Sequence, residues 1–203
     1  MARAAAKKVK PRKRLTGDER RESILEAALG CFLEKGYIAT TINDIREASG
    51  ATTGSIYHFF DGKPALALAL LQRAVAGWSA AAAAIAPDAT PEQAIRSSVT
   101  GLITWGLSHP AELRFMDEIR TLQSTDPALS GLIGAFGDGR DMGSALYDRW
   151  AAAGLVRPLA WPIAHALMLG PAYDFLRLAR ILPIPENVAE ILADAAWDAV
   201  RQT

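Results

Sequence analysis

Small hydroxyls, a tyrosine, a histidine and a lysine fall close together in the stretch TTGSIYHFFDGK, positions 52 to 63. That set suits the contacts made with a nucleic-acid duplex. Thr52, Thr53 and Ser55 carry short hydroxyls that reach base edges or phosphates, and Gly54 lets a backbone come close to its partner. Tyr57 can donate to a phosphate oxygen, His58 can contact a base or a phosphate, and Lys63 is a natural phosphate clamp. On these residues alone, a solvated helix surface with Tyr57 as half-buried packing accounts for the pattern equally well.

Such residues need short helices to present them, and the flanking sequence supplies the signals. Thr41 is followed three residues later by Asp44, a carboxylate variant of the capping box, which starts a helix with Ile42, Ile45 and Ala48 on its apolar side. Gly50 can take the left-handed conformation needed for a sharp exit, and Thr52 is placed to cap a second helix. In that helix Ile56 and Phe59 or Phe60 have the spacing of a buried face. Two short helices joined by a tight turn containing Gly fit the helix-turn-helix description. Ahead of them, Thr16-Gly17-Asp18-Glu19 is a capping box for a first helix that ends at Gly36. Cys31 shares a face of it with Ile24, Ala28 and Phe32, which predicts core packing rather than reactivity.

Residues 16 to 76 resemble the N-terminal DNA-binding domain of the TetR family of transcriptional regulators. The matching pieces are RRESILEAALGCFLEKGY, then ATTINDIREASGA, then TTGSIYHFF followed by the Lys of DGKPAL. The resemblance implies DNA contacts at Thr41 through phosphate, at Thr52, Thr53, Gly54 and Ser55 on the recognition helix, at Tyr57 and His58, and at Lys63 through phosphate. Arg46 departs from the family's Ala. Snorkelling outward would take it to a phosphate and add it to the contacts; pairing with Glu47 or Glu22 is the alternative. Gly62 replaces the family's Ser, and Gly with Pro64 in the first turn still permits a helix start.

The chain has 22 basic and 22 acidic residues and no net charge. Seven of the cations lie in residues 1 to 14 with no acid among them, leaving 15 against 22 acids beyond. A basic arm just before such a domain can follow the phosphate backbone or the minor groove; a solubilising tail is the other reading. No apolar run follows the arm as a secretion signal requires, and none approaches the length of a membrane span. One cysteine fits a reducing cytoplasm.

Beyond the turn the pattern remains helical, so the expected class is all-α with about nine helices. The boundaries expected are a basic arm over 1–14, a helix-turn-helix domain over 15–62 and a regulatory and dimerisation domain over 63–203. A fourth helix from about Lys63 to Ala84 links the two domains in the family. Pro91 opens a helix to about Ser108, His109-Pro110 breaks it, and AELRFMDEIRTLQ forms the next. A long helix is expected over roughly 127 to 153, with Leu129, Leu132, Ile133, Phe136, Leu146 and Trp150 at core spacing, ended by Gly154. The last two helices are expected over about 160–181 and 186–202, with a kink at Gly170-Pro171.

In the family the last two helices form the homodimer interface. Here Ile163, Leu167, Phe175, Val188, Ile191, Leu192 and Val200 supply the apolar stripes, and a dimer sets two recognition helices about 34–36 Å apart, one helical turn of DNA. Trp105, Phe115, Met116, Tyr147, Trp150, Met168 and Tyr173 stand on the helices that enclose the family's ligand cavity. They suggest a small, mostly apolar effector, although plain core uses the same side chains.

His58, His109 and His165 are each more than 50 residues apart, and HExxH, CxxC, GxSxG, P-loop and GxGxxG are absent. No catalytic residue, metal site or cofactor is expected, and Asp117-Glu118 reads as a solvated helix face. The expected function is a cytoplasmic, homodimeric repressor released from operator DNA by its effector. An activator, or a DNA-binding protein without an effector, is the alternative, and a helical enzyme the remote one.

Overall fold

The computed structural model describes residues 15–82, 89–122, 129 and 137–202. Among them are nine helices and an isolated bridge between Val156 and Arg201. They are α1 (Gly17–Lys35), α2 (Ile42–Ser49), α3 (Thr53–Phe59), α4 (Gly62–Ala82), α5 (Pro91–Ser108), α6 (Pro110–Leu122), α7 (Gly137–Ala152), α8 (Trp161–Leu178) and α9 (Val188–Val200). The arm at 1–14 lies outside the described residues, as do Leu132, Ile133 and Phe136 of the long helix expected over 127–153.

The starts and stops follow from local chemistry. Thr16 accepts from the Glu19 amide while the Glu19 carboxylate accepts from the Thr16 amide, at 3.2 and 2.8 Å. Thr41 and Asp44 make the same reciprocal pair, and Thr90 with Gln93 repeats it ahead of Pro91. Gly50 ends α2 at φ 65°, and Gly154 follows α7 at φ 69°. An l-residue with a Cβ rarely adopts either angle. Pro171 lies inside α8, which continues through it.

Two apolar clusters form. The first joins Ile24, Leu25, Ala28, Leu29 and Phe32 of α1 to Ile45, Ile56, Phe60 and the start of α4. Cys31 is buried in it, and that burial is the chief influence pushing its thiol pKa up, as an inert core thiol requires. Ala48, expected on the apolar side of α2, is instead exposed. The second cluster gathers α5, α7, α8 and α9 around Leu102, Ile103, Tyr147, Leu169 and Leu176. Val188 and Val200, expected at a dimer interface, are buried here within their own protomer. The stripe leaves outward Ile163, Leu167 and Ile191 only, because α9 turns both valines towards α5.

Helix α6 belongs to both halves of the molecule. Phe115 and Ile119 are buried in the first cluster, where Phe115 stacks on Phe32 with ring centroids 5.5 Å apart. Beside them Arg73 of α4 reaches Glu22 and Glu26 of α1 and Glu112 of α6. Replacing Phe115 by Ala should therefore destabilise the head as well as the body, by about 3 kcal/mol in denaturant unfolding. A loss well under 1 kcal/mol would mean that the stacked contact is dispensable.

Candidate nucleic-acid interface

The helix pair α2 and α3 is anchored by Ile45, Ile56 and Phe60, all buried. With those side chains inward, Thr52, Thr53, Gly54, Tyr57 and His58 are exposed and Ser55 is half-buried. Tyr57 is 54% exposed, so it is surface and not packing. A Cβ built at Gly54 meets nothing within 4 Å, so the protein's own interior does not demand a glycine there. Thr52 caps α3 by accepting from the Ser55 amide at 3.1 Å. The result is a continuous outward strip of hydroxyls, a phenol and an imidazole on one rigid turn.

Three expected contacts have other work in the structure. Thr41 accepts from the Asp44 amide and donates its hydroxyl to the Asp44 carboxylate at 2.7 Å, so its proton is directed to its own helix. Arg46 is bound to its own helix: Nε donates to Asn43 Oδ1 at 3.0 Å and the guanidinium pairs with Glu47 at 3.0 Å. Lys63 makes the most internal side-chain bonds of the three. Its Nζ donates to the carbonyls of Tyr37 at 2.7 Å, Ile38 at 3.0 Å and Thr40 at 3.0 Å, and lies 4.5 Å from the centre of the Tyr37 ring. Three acceptors match the three donors of an ammonium, so in this structure the lysine is a strut for the α1–α2 turn.

The other holders of that turn carried no signal in the sequence. Glu118 of α6 accepts from the Tyr37 amide at 2.6 Å, across 81 positions of chain. The Thr40 hydroxyl, one of the buried polar groups, lies 3.0 and 2.8 Å from the carbonyls of Cys31 and Gly36. Asp117 meets Arg177 of α8 and Arg180 just beyond its end. The Asp117-Glu118 pair is thus an interhelical contact and not the solvated face expected. Lys35 and Asp44 join α1 to α2 at 2.7 Å. The Lys35 ammonium, and after it the Thr41 hydroxyl and amide, hold the Asp44 carboxyl well below the usual carboxylate range.

The seven residues expected around one ligand cavity divide among several places. Phe115 and Met116 pack on the head cluster, because α6 turns that face towards α1. Trp105 fits against Gly77 of α4, where a Cβ would come within 2.6 Å of its Nε1, and stacks on His109. Tyr147, Trp150 and Met168 line a cavity of about 110 Å³ with Trp161. Tyr173 lines a different one, of about 150 Å³, between α5, α6 and α8.

The Gly50 turn, the paired short helices and the helical body behind them define a helix-turn-helix protein. Residues 24–70 match the family described as bacterial regulatory proteins, tetR family. That match spans the helix-turn-helix region and the start of α4. It is 45% identical over 58 residues to the HTH-type transcriptional repressor AcnR of Corynebacterium efficiens, an alignment covering 27% of this chain and 31% of AcnR. Among solved structures, a TetR family transcription regulator from Marinobacter aquaeolei VT8 superposes with a TM-score of 0.74 at 20% identity, covering 92% of this chain and 97% of the other. The ketosteroid transcriptional regulator KstR2 of Mycobacterium tuberculosis does so at 0.64 and 22%, covering 94% and 100%. At those identities the likeness is one of fold. The chain covers less than a third of the length of the first relatives it matches.

Two outcomes test this joint. Lys63→Ala strips three turn carbonyls of a charged donor and should lower unfolding stability by about 2 kcal/mol; unchanged stability would return the lysine to the surface. Asp44 has a depressed folded-state pKa, so its contribution is complete above the ordinary carboxyl value of about 4 and is lost as pH falls further. The thermal midpoint should drop on that acid side, and Asp44→Asn should flatten the drop. Equal acid slopes in the two proteins would contradict the assignment.

Proposed function

We propose that this chain is a sequence-specific, DNA-binding transcriptional regulator that acts as a homodimer, most simply a repressor released from its operator by a small, mostly apolar effector. The observation that carries the reading is the outward strip Thr52, Thr53, Gly54, Ser55, Tyr57 and His58 on a helix fixed from behind by Ile56 and Phe60. Support comes from the family match over residues 24–70, which includes the helices that hold this strip, and from the relatives AcnR and KstR2, which are named repressors.

A homodimer is supported by apolar side chains left in solvent on adjoining helices: Ile163 is 54% exposed and Ile191 52%, with Leu167 beside them. Pairing two copies there would bury this patch and set two heads side by side for a palindromic site. For the effector, the cavity lined by Trp150, Trp161 and Met168 is mainly apolar. The Trp161 indole N–H is buried with no acceptor among the described residues. An effector in this cavity would act only through unequal affinity for DNA-competent and DNA-incompetent forms.

Duplexes enriched by the purified protein from a random library provide the test. Tyr57→Phe and His58→Ala should each weaken binding to the enriched site by roughly tenfold, and deleting residues 2–14 should weaken binding broadly while lowering the salt dependence. If no sequence is enriched, or if both point variants bind as tightly as the parent across a salt series, the assigned surface is wrong.

A further inference from the structure

Helix α6 uses adjacent carboxylates in opposite directions. Glu118 holds the Tyr37 amide of the head, whereas Asp117 faces the end of α8. Arg177, Arg180 and Arg120 stand 3.5, 4.0 and 3.8 Å from the Asp117 carboxylate. Those separations are long for charge-assisted hydrogen bonds, and three guanidinium groups share one carboxylate. The cluster therefore has cationic charge in excess and donors that are not drawn into tight geometry. Asp117, Arg177 and Arg180 of this cluster form the polar wall of the 150 Å³ cavity, whose other wall is Leu113, Leu176 and Ile184. Tyr173 lines the same space, and burial pushes its phenol up to about 12, leaving a neutral O–H.

We infer that this cavity binds a small carboxylate with an apolar body of benzoate size, whose charged end competes with Asp117 for Arg177 and Arg180. The planar forks of arginine match a carboxylate through two parallel hydrogen bonds, which the current spacing to Asp117 does not provide. An apolar cavity of about 150 Å³ is enough to hold a benzene ring. Because Asp117 and Glu118 are neighbours on α6, an anion here acts on the helix that grips the head. The site is distinct from the cavity containing Trp161 and does not depend on the DNA-binding proposal.

Calorimetric titration of the full chain, with no DNA present, tests it. Benzoate should bind, and benzamide, with the same shape and no charge, should bind at least about tenfold more weakly. Arg177→Gln and Arg180→Gln should each weaken benzoate by several fold, while Asp117→Asn, which removes the internal competitor, should tighten it. The opposite signs separate a direct site from general loosening, and all three side chains are partly exposed, so thermal melts should find the variants folded. Absence of benzoate binding in the millimolar range, equal affinity for benzamide, or unchanged affinity in all three variants would overturn the site.

Discussion

The ammonium of Lys63, set among the carbonyls of Tyr37, Ile38 and Thr40, is the interaction on which the rest of the head depends. The turn from α1 to α2 reverses the chain within a few residues, so its carbonyls point where no helix can satisfy them. Removing such groups from water without partners is costly. One ammonium meets three of them, and the Glu118 carboxylate meets the Tyr37 amide from the other side. With the turn fixed, α2 has one direction, and the Gly50 turn then gives α3 one as well. The outward strip from Thr52 to His58 is a consequence of that chain of constraints.

The joint also determines how the body bears on the head. Helix α4 runs continuously from one to the other, but it is not the sole connection. Phe115 and Ile119 of α6 lie inside the head's apolar cluster, and Arg73 ties α1, α4 and α6 through Glu22, Glu26 and Glu112. Individual exposed ion pairs contribute little, so the network matters more for register than for stability. The packed aromatic pair of Phe32 and Phe115 supplies the stiffness. Glu118 thus connects α6 directly to the α1–α2 turn, beside the connection along α4.

What could be read from the sequence was local. Thr16 with Glu19, Thr41 with Asp44, Thr52 and Gly50 act within a few residues, and each performs the capping or turning that its type and spacing imply. The alternation of Ile56 and Phe60 with Tyr57 and His58 likewise determined which face of α3 looks outward. Roles that depend on distant neighbours were not legible. Lys63 has the composition of a phosphate ligand, and only the fold brings three carbonyls to it. Phe115, Val188 and Val200 are apolar at helical spacing, a pattern that specifies burial without specifying which core receives it. Glu118 was invisible as a partner because its acceptor role is fixed by a turn far away in the chain.

The most direct measurement of the account is hydrogen–deuterium exchange of the full chain with and without an enriched DNA duplex. Slower exchange over Thr52–His58 and the start of α2, with α5 and α8 largely unchanged, is the predicted result. Protection confined to the helical body, with Thr52–His58 exchanging as in the free protein, would contradict the assignment of this turn as the nucleic-acid surface.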